Sequence, residues 1–324
     1  MKNSSAQDPP YDAWLNWFLP GACNLRCEYC IVHPSDPKKR GLLSSAAHSL
    51  VRFRRKHFSI QGFLLYAVES LFQRQDTPSV NIPALLDSLD RTHMIFRINF
   101  TGKGEPFLVP NIVEACEQLT RIHYVSFNTN LIPQKIGDFC DRIDPERVAS
   151  IQASLHIKEL EKRGLFDVFI DHFLKLREKK FPIAAIEVAY PGLFPEIEKY
   201  RSFFAERGIP LRFGWFNGVY RGKEYPAAYT REELNGFGLK GSPGLETFQQ
   251  GTLCNAGYNT ASIRESGAVV ICNDVIEPLG HIYKGFRFKK KPIQCPAAFC
   301  SCSLKYYDAA LYRKALVENK VSRS

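Results

Sequence analysis

Residues 96–130 read FRINFTGKGEPFLVPNIVEACEQLTRIHYVSFNTN, and this stretch decides the fold. Two short apolar runs, FRINFTG and HYVSFNTN, have the length and β-branched or aromatic content of buried strands, and each ends in glycine or polar residues. Between them, NIVEACEQLTRI repeats apolar residues at helical spacing. A strand, a helix and a second strand in this order predict two parallel strands joined by a right-handed crossover.

The same alternation continues on both sides of this unit. The run WLNWFLP at 14–20 is a predicted first strand, and the segments 44–74 and IPALLDSLDRTH have helical character. Later strands are predicted at VASIQASL, AAIEVAYP and LRFGWF, and later helices at PQKIGDFCDRI, DVFIDHFLKLREKK and PEIEKYRSFFAERG. Six strands with intervening helices predict an α/β fold in which parallel strands form a partial (β/α)6 barrel.

The pattern changes near residue 218. We assign residues 1–217 to the barrel, with an insertion at about 36–80, and residues 218–324 to a small cysteine-rich appendage with a C-terminal tail. In the appendage, ASIRES and AVVIC alternate like strands on either side of Gly267, which predicts a β-hairpin.

Composition and charge exclude several classes of protein. Residues 1–14 lack the apolar core of a signal peptide, and the longest apolar run, FLLYAV at 63–68, is too short to cross a bilayer. The net charge of +10 is spread along the chain, which favours a solvated surface over a nucleic-acid site. We therefore expect a cytoplasmic protein without a membrane partner, and a nucleic acid is the less favoured kind of partner.

Polar and glycine residues follow three consecutive strands. In parallel sheets, binding and catalytic groups collect at the C-terminal ends of the strands, so we expect these residues to share one mouth of the barrel. Taken one at a time, each is equally typical of a turn or a cap. The candidates are Gly102, Gly104, Glu105, Asn128, Asn130 and Ser154.

Ten cysteines are distributed unevenly along the chain. Cys116 and Cys140 stand alone in helical patterns and are predicted to be buried as small apolar residues. In a chain without a signal peptide, clustered cysteines favour metal binding over disulfides. The first group is Cys23, Cys27 and Cys30, and the second group is Cys254, Cys272, Cys295, Cys300 and Cys302.

Three thiols so close together leave two kinds of metal site open. A structural zinc ion takes four protein ligands, so the first group would need a distant histidine or cysteine to complete it. An iron–sulfur cube held by three thiolates keeps one iron free for a substrate or cofactor, which is a catalytic arrangement.

The spacing Cys23-x3-Cys27-x2-Cys30, directly after a strand and with Tyr29 before the third cysteine, resembles the signature of the radical S-adenosylmethionine (SAM) enzymes. The resemblance implies a [4Fe–4S] cluster whose free iron binds the methionine part of SAM. It further implies reductive cleavage of SAM to a 5′-deoxyadenosyl radical, hydrogen abstraction from a substrate C–H bond, and an electron donor of the flavodoxin or ferredoxin type.

The same resemblance assigns roles at the strand ends. TGKGEP resembles the family's Gly-Gly-Glu-Pro loop, which receives the methionine ammonium, although Lys103 stands where the family often has glycine. Gly102, Gly104 and Glu105 would fill that role. The resemblance also implies that Tyr29, Asn128, Asn130 and Ser154 are cofactor-binding, with the two asparagines at the ribose and the serine near the methionine carboxylate.

Cys254-x12-Gly267-x4-Cys272 resembles the opening of the family's SPASM or twitch domain. A full SPASM domain implies seven thiols, whereas the second group has five, so we expect one auxiliary [4Fe–4S] cluster and one spare cysteine. The spacing leaves open which of Cys295, Cys300 and Cys302 is the spare thiol, and Cys300 or Cys302 could donate a hydrogen atom to the substrate. A structural zinc knuckle is the alternative.

The expected reaction is dehydrogenation or other oxidation, epimerisation, or bond formation. Only 22 residues precede Cys23, so a small molecule of the sugar or aminocyclitol type is as well supported as a peptide substrate. The aromatic stretch WFNGVYRGKEYPAAY at 215–229 either lines the pocket or packs between domains. Two other functions stay open: a radical SAM enzyme that modifies RNA, and a zinc-stabilised nucleic-acid-binding protein without catalysis.

Overall fold

The computed structural model describes residues 10–19, 22–30, 57–71, 78–102, 104–240, 247–248 and 250–300. Its first seven strands are β1 (Ala13–Leu19), β2 (His57–Phe58), β3 (Phe96–Gly102), β4 (Tyr124–Thr129), β5 (Val148–Ser154), β6 (Ile183–Val188) and β7 (Leu211–Gly214). Strands β1, β3, β4, β5, β6 and β7 are neighbours in this order, and all of them run parallel. This arrangement confirms the predicted α/β fold with its partial barrel of parallel strands.

Helices alternate with the parallel strands, as crossover connections require. They are α1 (Ile60–Leu71), α2 (Ile82–Asp90), α3 (Ile112–Leu119), α4 (Lys135–Arg142), α5 (Ile157–Arg163), α6 (Phe166–Glu178), α7 (Ile197–Glu206) and α8 (Arg231–Phe237). Short 3-10 helices lie at Pro106–Leu108, Pro145–Arg147 and Pro191–Glu196. Every helix predicted between residues 82 and 208 is present and slightly shorter than predicted. Helix α5 is additional, and Gly164 ends it in the left-handed conformation.

One face of the sheet packs against the helices through aromatic side chains. Phe100 and Phe127, on neighbouring strands, stack with ring centroids 5.1 Å apart, and the Phe107 ring lies 4.8 Å from that of Phe127. Cys116 and Cys140 are buried in the same core, which confirms that prediction. This packing fixes β3 beside β4, so the polar residues at their C-terminal ends lie next to each other.

The strands after residue 214 are short. They are β8 (Gly218–Tyr220), β9 (Lys223–Tyr225), β10 (Thr247–Phe248), β11 (Leu253–Cys254), β12 (Thr260–Ile263), β13 (Ala268–Val270), β14 (Val275–Ile276), β15 (Pro278–His281), β16 (Gly285–Phe286), β17 (Ile293–Gln294) and β18 (Phe299–Cys300). Strands β12 and β13 form the predicted antiparallel hairpin, with Gly267 at φ +89° in its turn.

The hairpin joins the main sheet. Strand β12 pairs in parallel with β1, so one ten-stranded sheet runs in the order β16-β15-β13-β12-β1-β3-β4-β5-β6-β7. The sheet is thus continuous from the predicted appendage into the predicted barrel, and the domain boundary at 218 stays a prediction.

The predicted insertion at about 36–80 is described in part, because residues 31–56 and 72–77 lie outside the described residues. Strand β2 pairs in parallel with β14, and α1 follows it directly. A Cβ atom on Gly62 would lie 1.6 Å from the carbonyl oxygen of Ile276, so only glycine allows α1 to pack this closely on β14. Within the described ranges, no helix combines the length and the apolar character needed to span a membrane.

Candidate active site

The first cysteine group lies on a loop that follows the C-terminal end of β1. Leu25 and Cys27 are buried at 2% and 7% exposure, and they fix the loop in the core. The backbone N–H of Cys30 donates to the carbonyl oxygen of Cys27 at 3.1 Å and closes a turn. Cys23 and Cys30 are half-buried, so the loop keeps part of its sulfur surface accessible.

Helix α5 holds this loop from the side. The buried carboxylate of Glu159 accepts a hydrogen bond of 3.0 Å from the backbone N–H of Arg26, and Arg163 donates to the carbonyl oxygen of Asn24. Glu159 is a site residue that the sequence reasoning missed, because the helix that carries it was not predicted. A glutamate flanked by Ile157 and Leu160 at helical spacing is the signal that could have found it.

The cysteine loop fits a cluster bound through thiolates. Burial raises the pKa of the Cys23 and Cys27 thiols, so their thiolates need a cation beside them, which bound iron supplies. The backbone N–H of Leu25 lies 3.5 Å from Cys23 Sγ, and such donors stabilise a thiolate. Among the residues that the structure describes, no three cysteine, histidine or carboxylate side chains are placed to hold one metal ion. Each thiolate of a cubane cluster binds a different iron.

Glu105 follows the end of β3 and caps the 3-10 helix Pro106–Leu108, next to the cysteine loop. Its Oε1 accepts hydrogen bonds from the Thr129 hydroxyl at 2.7 Å and the Phe107 backbone N–H at 3.1 Å, and its Oε2 accepts from the Asn130 N–H at 2.7 Å. Burial raises the pKa of Glu105 to about 7, although these hydrogen bonds act in the opposite direction. Both carboxylate oxygens therefore have protein partners, and the predicted role of Glu105 toward an ammonium group stays a prediction.

The loop around Glu105 is placed by close backbone contact. A Cβ on Gly102 would lie 2.5 Å from the carbonyl oxygen of Leu19, so glycine is needed where β1 and β3 end together. The Glu105 N–H donates to the carbonyl oxygen of Ala22 at 3.2 Å and ties this loop to the cysteine loop. Gly104 is half-buried, and Lys103 lies outside the described residues.

Asn130 lies against the cysteine loop. Its Nδ2 donates to Asn24 Oδ1 at 2.7 Å and lies 4.0 Å from Cys23 Sγ, while its Oδ1 accepts from the Ile132 N–H at 3.0 Å. Asn128 Nδ2 instead donates to the Thr101 hydroxyl at 3.2 Å. The structure therefore brings Asn130 to the first cysteine group and places Asn128 lower on the same strand.

Ser154 ends β5 with a half-buried side chain, on the edge of the same mouth. In the register of the sheet it is opposite Ile186 of β6. The structure thus places it one strand beyond Asn130, and its predicted contact with a carboxylate stays a prediction.

Tyr29 connects the cysteine loop to a buried carboxylate on β6. Its hydroxyl donates to Glu187 Oε1 at 3.0 Å and lies 2.9 Å from His156 Nδ1. The hydroxyl donates to Glu187 when this carboxylate is ionised, and the tautomer of His156 decides which group donates in the contact between Tyr29 and Nδ1. Burial lowers the pKa of His156 to about 4 and raises that of Glu187 to about 7, so the imidazole is neutral near pH 7.

Sequence reasoning missed Glu187. A single carboxylate in the otherwise apolar run AAIEVAYP was the available signal. Its Oε2 also accepts from the Ile157 N–H at 2.7 Å, so Glu187 joins β6 to the start of α5.

The aromatic stretch at 215–229 packs against Tyr29. The Tyr29 and Tyr190 rings lie 5.0 Å apart, and Phe216 lies 5.5 Å from Tyr190. Phe216 and Tyr225 are 3% and 6% exposed, so these two residues are packing residues. Tyr220 is half-buried, 5.0 Å from Tyr190.

Four members of the second cysteine group come together at the other end of β1. Cys272 and Cys295 are buried beside the fully buried Trp14, and Cys254 and Cys300 pack against the same cluster. Cys302 lies outside the described residues.

The backbone around the second group also donates hydrogen bonds to sulfur. Cys254 Sγ accepts from the Ala256 N–H at 3.4 Å, and Cys272 Sγ accepts from the Val275 N–H at 3.2 Å. Burial is the main cause of the raised pKa of Cys272, and the charges of Asp274 and Cys254 add to it. These thiols therefore fit an iron–sulfur cluster for the same reasons as the first group.

The two cysteine groups lie at opposite ends of one strand. Trp14, near the start of β1, contacts the second group, and the first group follows Leu19 at the end of β1. A strand of seven residues is roughly 20 Å long. A substrate between the two groups would therefore lie along the strands of the sheet.

No family model and no curated protein matches the sequence. Solved structures of anSMEcpe, a radical SAM enzyme, are similar to this chain. The native enzyme with bound AdoMet is 14% identical, with a TM-score of 0.51 over 84% of this chain and 79% of its own. The hexahistidine-tagged form with bound AdoMet is 12% identical, with a TM-score of 0.52 over 93% and 79%.

The native anSMEcpe with bound AdoMet and the Cp18Cys peptide is 14% identical, with a TM-score of 0.50 over 93% of this chain and 82% of its own. These likenesses show that the chain has the fold of radical SAM enzymes of known structure.

Proposed function

We propose that this protein is a radical SAM enzyme. The observation that carries the proposal is the cysteine loop, whose three thiols lie at the C-terminal ends of a parallel sheet with the fold of an AdoMet-bound enzyme. When bound, a [4Fe–4S] cluster with SAM supplies a 5′-deoxyadenosyl radical that takes a hydrogen atom from a substrate C–H bond.

Cys23, Cys27 and Cys30 would hold this cluster. Asn130 and Glu159 fix the loop from two sides through the hydrogen bonds to Asn24 and Arg26. Such contacts keep the thiols in one geometry when the cluster is reduced and oxidised.

The residues around the mouth would bind SAM. We assign Tyr29 and the backbone of Gly102 and Gly104 to this role, because they line the strand ends next to the cysteine loop. Asn130, 4.0 Å from Cys23 Sγ, has the best support among the polar side chains. Glu105, Asn128 and Ser154 complete the proposed SAM site.

The second group would hold one auxiliary [4Fe–4S] cluster in a SPASM or twitch arrangement. Cys254, Cys272 and Cys295 are the ligands with the most support from burial and hydrogen bonds to sulfur. Cys300 or Cys302 would be the fourth ligand, and the other would be a thiol free to donate hydrogen. A filled cluster favours oxidation or bond formation, and a hydrogen-donating thiol favours epimerisation. A flavodoxin or ferredoxin would supply electrons.

Two substrate classes fit this site. The structure of anSMEcpe with a bound peptide supports a peptide substrate. A small molecule of the sugar or aminocyclitol type is the second class.

The test is the production of 5′-deoxyadenosine. The protein is reconstituted anaerobically with iron and sulfide, reduced with dithionite and incubated with SAM. The products are separated by liquid chromatography and detected by mass spectrometry. We expect 5′-deoxyadenosine and methionine even without substrate, at a low rate. If the iron-loaded protein yields neither 5′-deoxyadenosine nor methionine, the proposed function is wrong.

A further inference from the structure

Five neighbouring strands carry polar side chains at one level of the sheet. In the register of the sheet, Asn16 lies opposite both Ser262 and Asn99, Asn99 lies opposite Ser126, and Ser126 lies opposite Ser150. We call Ser262, Asn16, Asn99, Ser126 and Ser150 the polar row. The alternate residues of these strands pack against the helices, so the row is on the concave face.

The hydrogen bonds of the row all point in one direction. Ser126 Oγ donates to Asn99 Oδ1 at 3.1 Å, and Asn99 Nδ2 donates to Asn16 Oδ1 at 2.7 Å. The acceptor atoms of Asn99 and Asn16 are therefore used within the row. The amide N–H groups of Asn16 are left as donors toward a ligand.

Arg97 supplies the charge next to the polar row, two residues before Asn99 on β3. Its side chain is 8% exposed, and it donates from Nε to Ser126 Oγ at 3.2 Å, from Nη2 to Ser150 Oγ at 2.9 Å and from Nη1 to the Tyr11 hydroxyl at 3.2 Å. All three partners are neutral. No carboxylate of the described residues lies within ion-pair distance of Arg97.

A buried cation without a counter-ion is costly. The guanidinium has five N–H groups, and three of them are used by the hydroxyls, so two remain for a further acceptor. An oxyanion satisfies both conditions, because it carries the missing charge and accepts two parallel N–H bonds.

Ser262 gives independent support for a ligand at this level. Its side chain is fully buried, and its Oγ has no hydrogen-bond partner among the described residues. It lies opposite Asn16, at the end of the row away from Ser150, so it would meet a part of the ligand other than the anion bound at Arg97. A buried hydroxyl of this kind normally has a partner, so a bound ligand or water is expected beside it.

The face that carries the row is open to a ligand. Ser150 and Gln152 of β5 and Asn128 of β4 are half-buried, although the strands that carry them lie inside the sheet. The guanidinium carbon of Arg97 lies 4.2 Å from the centre of the Trp14 ring, and Trp14 packs on the second cysteine group. Arg97 is thus at the end of the concave face away from the first cysteine group.

We propose that Arg97 binds an oxyanion of the substrate, either a carboxylate or a phosphate group, beside the polar row. The bound anion anchors the substrate on the concave face, between the two cysteine groups, with the remainder of the molecule extending toward the first group. This inference rests on the proposed function for the identity of the ligand as substrate, but the anion site itself follows from Arg97 and the row.

The test compares thermal unfolding of the anaerobically purified protein in chloride, acetate and inorganic phosphate at equal ionic strength. Ser150→Asp places a carboxylate where Arg97 now contacts a neutral hydroxyl. This carboxylate would pair with the Arg97 guanidinium and take the place of a bound anion. Ser150→Ala is the matched control, because it removes the same hydroxyl and leaves the guanidinium without a counter-ion. The general stabilising effect of phosphate acts on every variant, so the difference between the two variants is the readout.

We expect at least one oxyanion to raise the melting temperature of the wild type and of Ser150→Ala by about 1–2 °C over chloride, at a concentration a few times its dissociation constant. Ser150→Asp loses that gain. A gain with phosphate alone indicates a phosphorylated substrate, and a gain with acetate indicates a carboxylate. No gain in the wild type, or an equal gain in Ser150→Asp, overturns the proposal.

The anion site and the proposed function can fail separately. A gain in melting temperature without production of 5′-deoxyadenosine would support the anion site and contradict the proposed radical SAM function. Production of 5′-deoxyadenosine without any gain in melting temperature would contradict the anion site and support the proposed radical SAM function.

Discussion

The backbone N–H of Asn130 donates a hydrogen bond of 2.7 Å to Glu105 Oε2, and this contact joins the ends of β3 and β4 beside the cysteine loop. Asn130 reaches the loop through Asn24, and Glu105 reaches it through the carbonyl oxygen of Ala22. Two residues that the sequence assigned separately to SAM therefore form one structural unit. A change at Glu105 is expected to affect the fold and the site together.

Glu105→Ala leaves three buried donors, from Phe107, Thr129 and Asn130, without their acceptor. We expect it to destabilise the protein by about 3 kcal/mol and to weaken SAM binding. Denaturant unfolding and calorimetric titration with SAM measure the two effects. The control is Glu117→Ala, which removes an exposed carboxylate paired with Arg142. Unchanged stability of Glu105→Ala would contradict the structural part of this assignment.

Cys27→Ala removes one of the three thiols of the first group and is expected to abolish cleavage of SAM, because the cluster loses a ligand. The matched control is Cys116→Ala, a buried cysteine outside both groups, which should retain cleavage. Both variants are assayed for iron and for 5′-deoxyadenosine. Cleavage by Cys27→Ala at the wild-type rate would refute the ligand assignment.

Glu159→Ala frees the backbone N–H of Arg26 and loosens the cysteine loop. We expect faster loss of iron from the first site on exposure to a chelator, with a rate that rises several-fold. Glu161→Ala is the control, since Glu161 lies on the same helix and makes a partly exposed ion pair with Lys199. Equal rates of iron loss in the two variants would show that α5 does not hold the loop.

The pH dependence of stability tests the environment of Glu187. Burial raises the pKa of Glu187 from 4.5 to about 7 in the folded protein. The raised pKa therefore adds to the free energy of unfolding in full below about pH 4.5, and this addition is lost as the pH rises to about 7.

Glu187→Gln removes this titration. We expect the stability advantage of the wild type over the variant to fall by on the order of 1–3 kcal/mol between pH 5 and pH 8, as followed by urea unfolding. His156, with its lowered pKa, is present in both proteins and cancels in the difference. An advantage that grows with pH would contradict the assignment.

Single Cys→Ala changes at positions 295, 300 and 302 separate ligands from the spare thiol. A ligand variant is expected to lose the iron of the auxiliary cluster, whereas a spare-thiol variant keeps it. If the spare thiol donates hydrogen, the product gains deuterium from heavy water, and this gain disappears in that variant alone. If none of the three variants loses iron, the assignment of an auxiliary cluster is wrong.

The sequence predicted the parallel strands because each is a short apolar run between turn residues, and it predicted the first cysteine group because spacing and position were visible together. It did not predict that β12 pairs with β1, since a pairing between residues 14–17 and 260–263 leaves no local signal. Helix α5 was missed for the same reason, because its seven residues owe their stability to tertiary contacts.

The polar row shows a second limit. Arg97 and Asn99 alternate with apolar residues in FRINFTG, and this alternation indicates two different faces. It does not indicate that three serines and one asparagine from four other strands lie at the same level, because register is set by the packing of the whole sheet. The anion site therefore became visible only in three dimensions.

The central claim is that the first cysteine group holds a cluster with one iron open to SAM. It is tested by the electron paramagnetic resonance spectrum of the reduced protein before and after addition of SAM, in a Cys254→Ala, Cys272→Ala variant that has lost two thiols of the second group. We expect the signal of one reduced [4Fe–4S] cluster whose g-values shift when SAM is added. A spectrum that SAM leaves unchanged, or a fully reconstituted protein with no cluster signal, would contradict it.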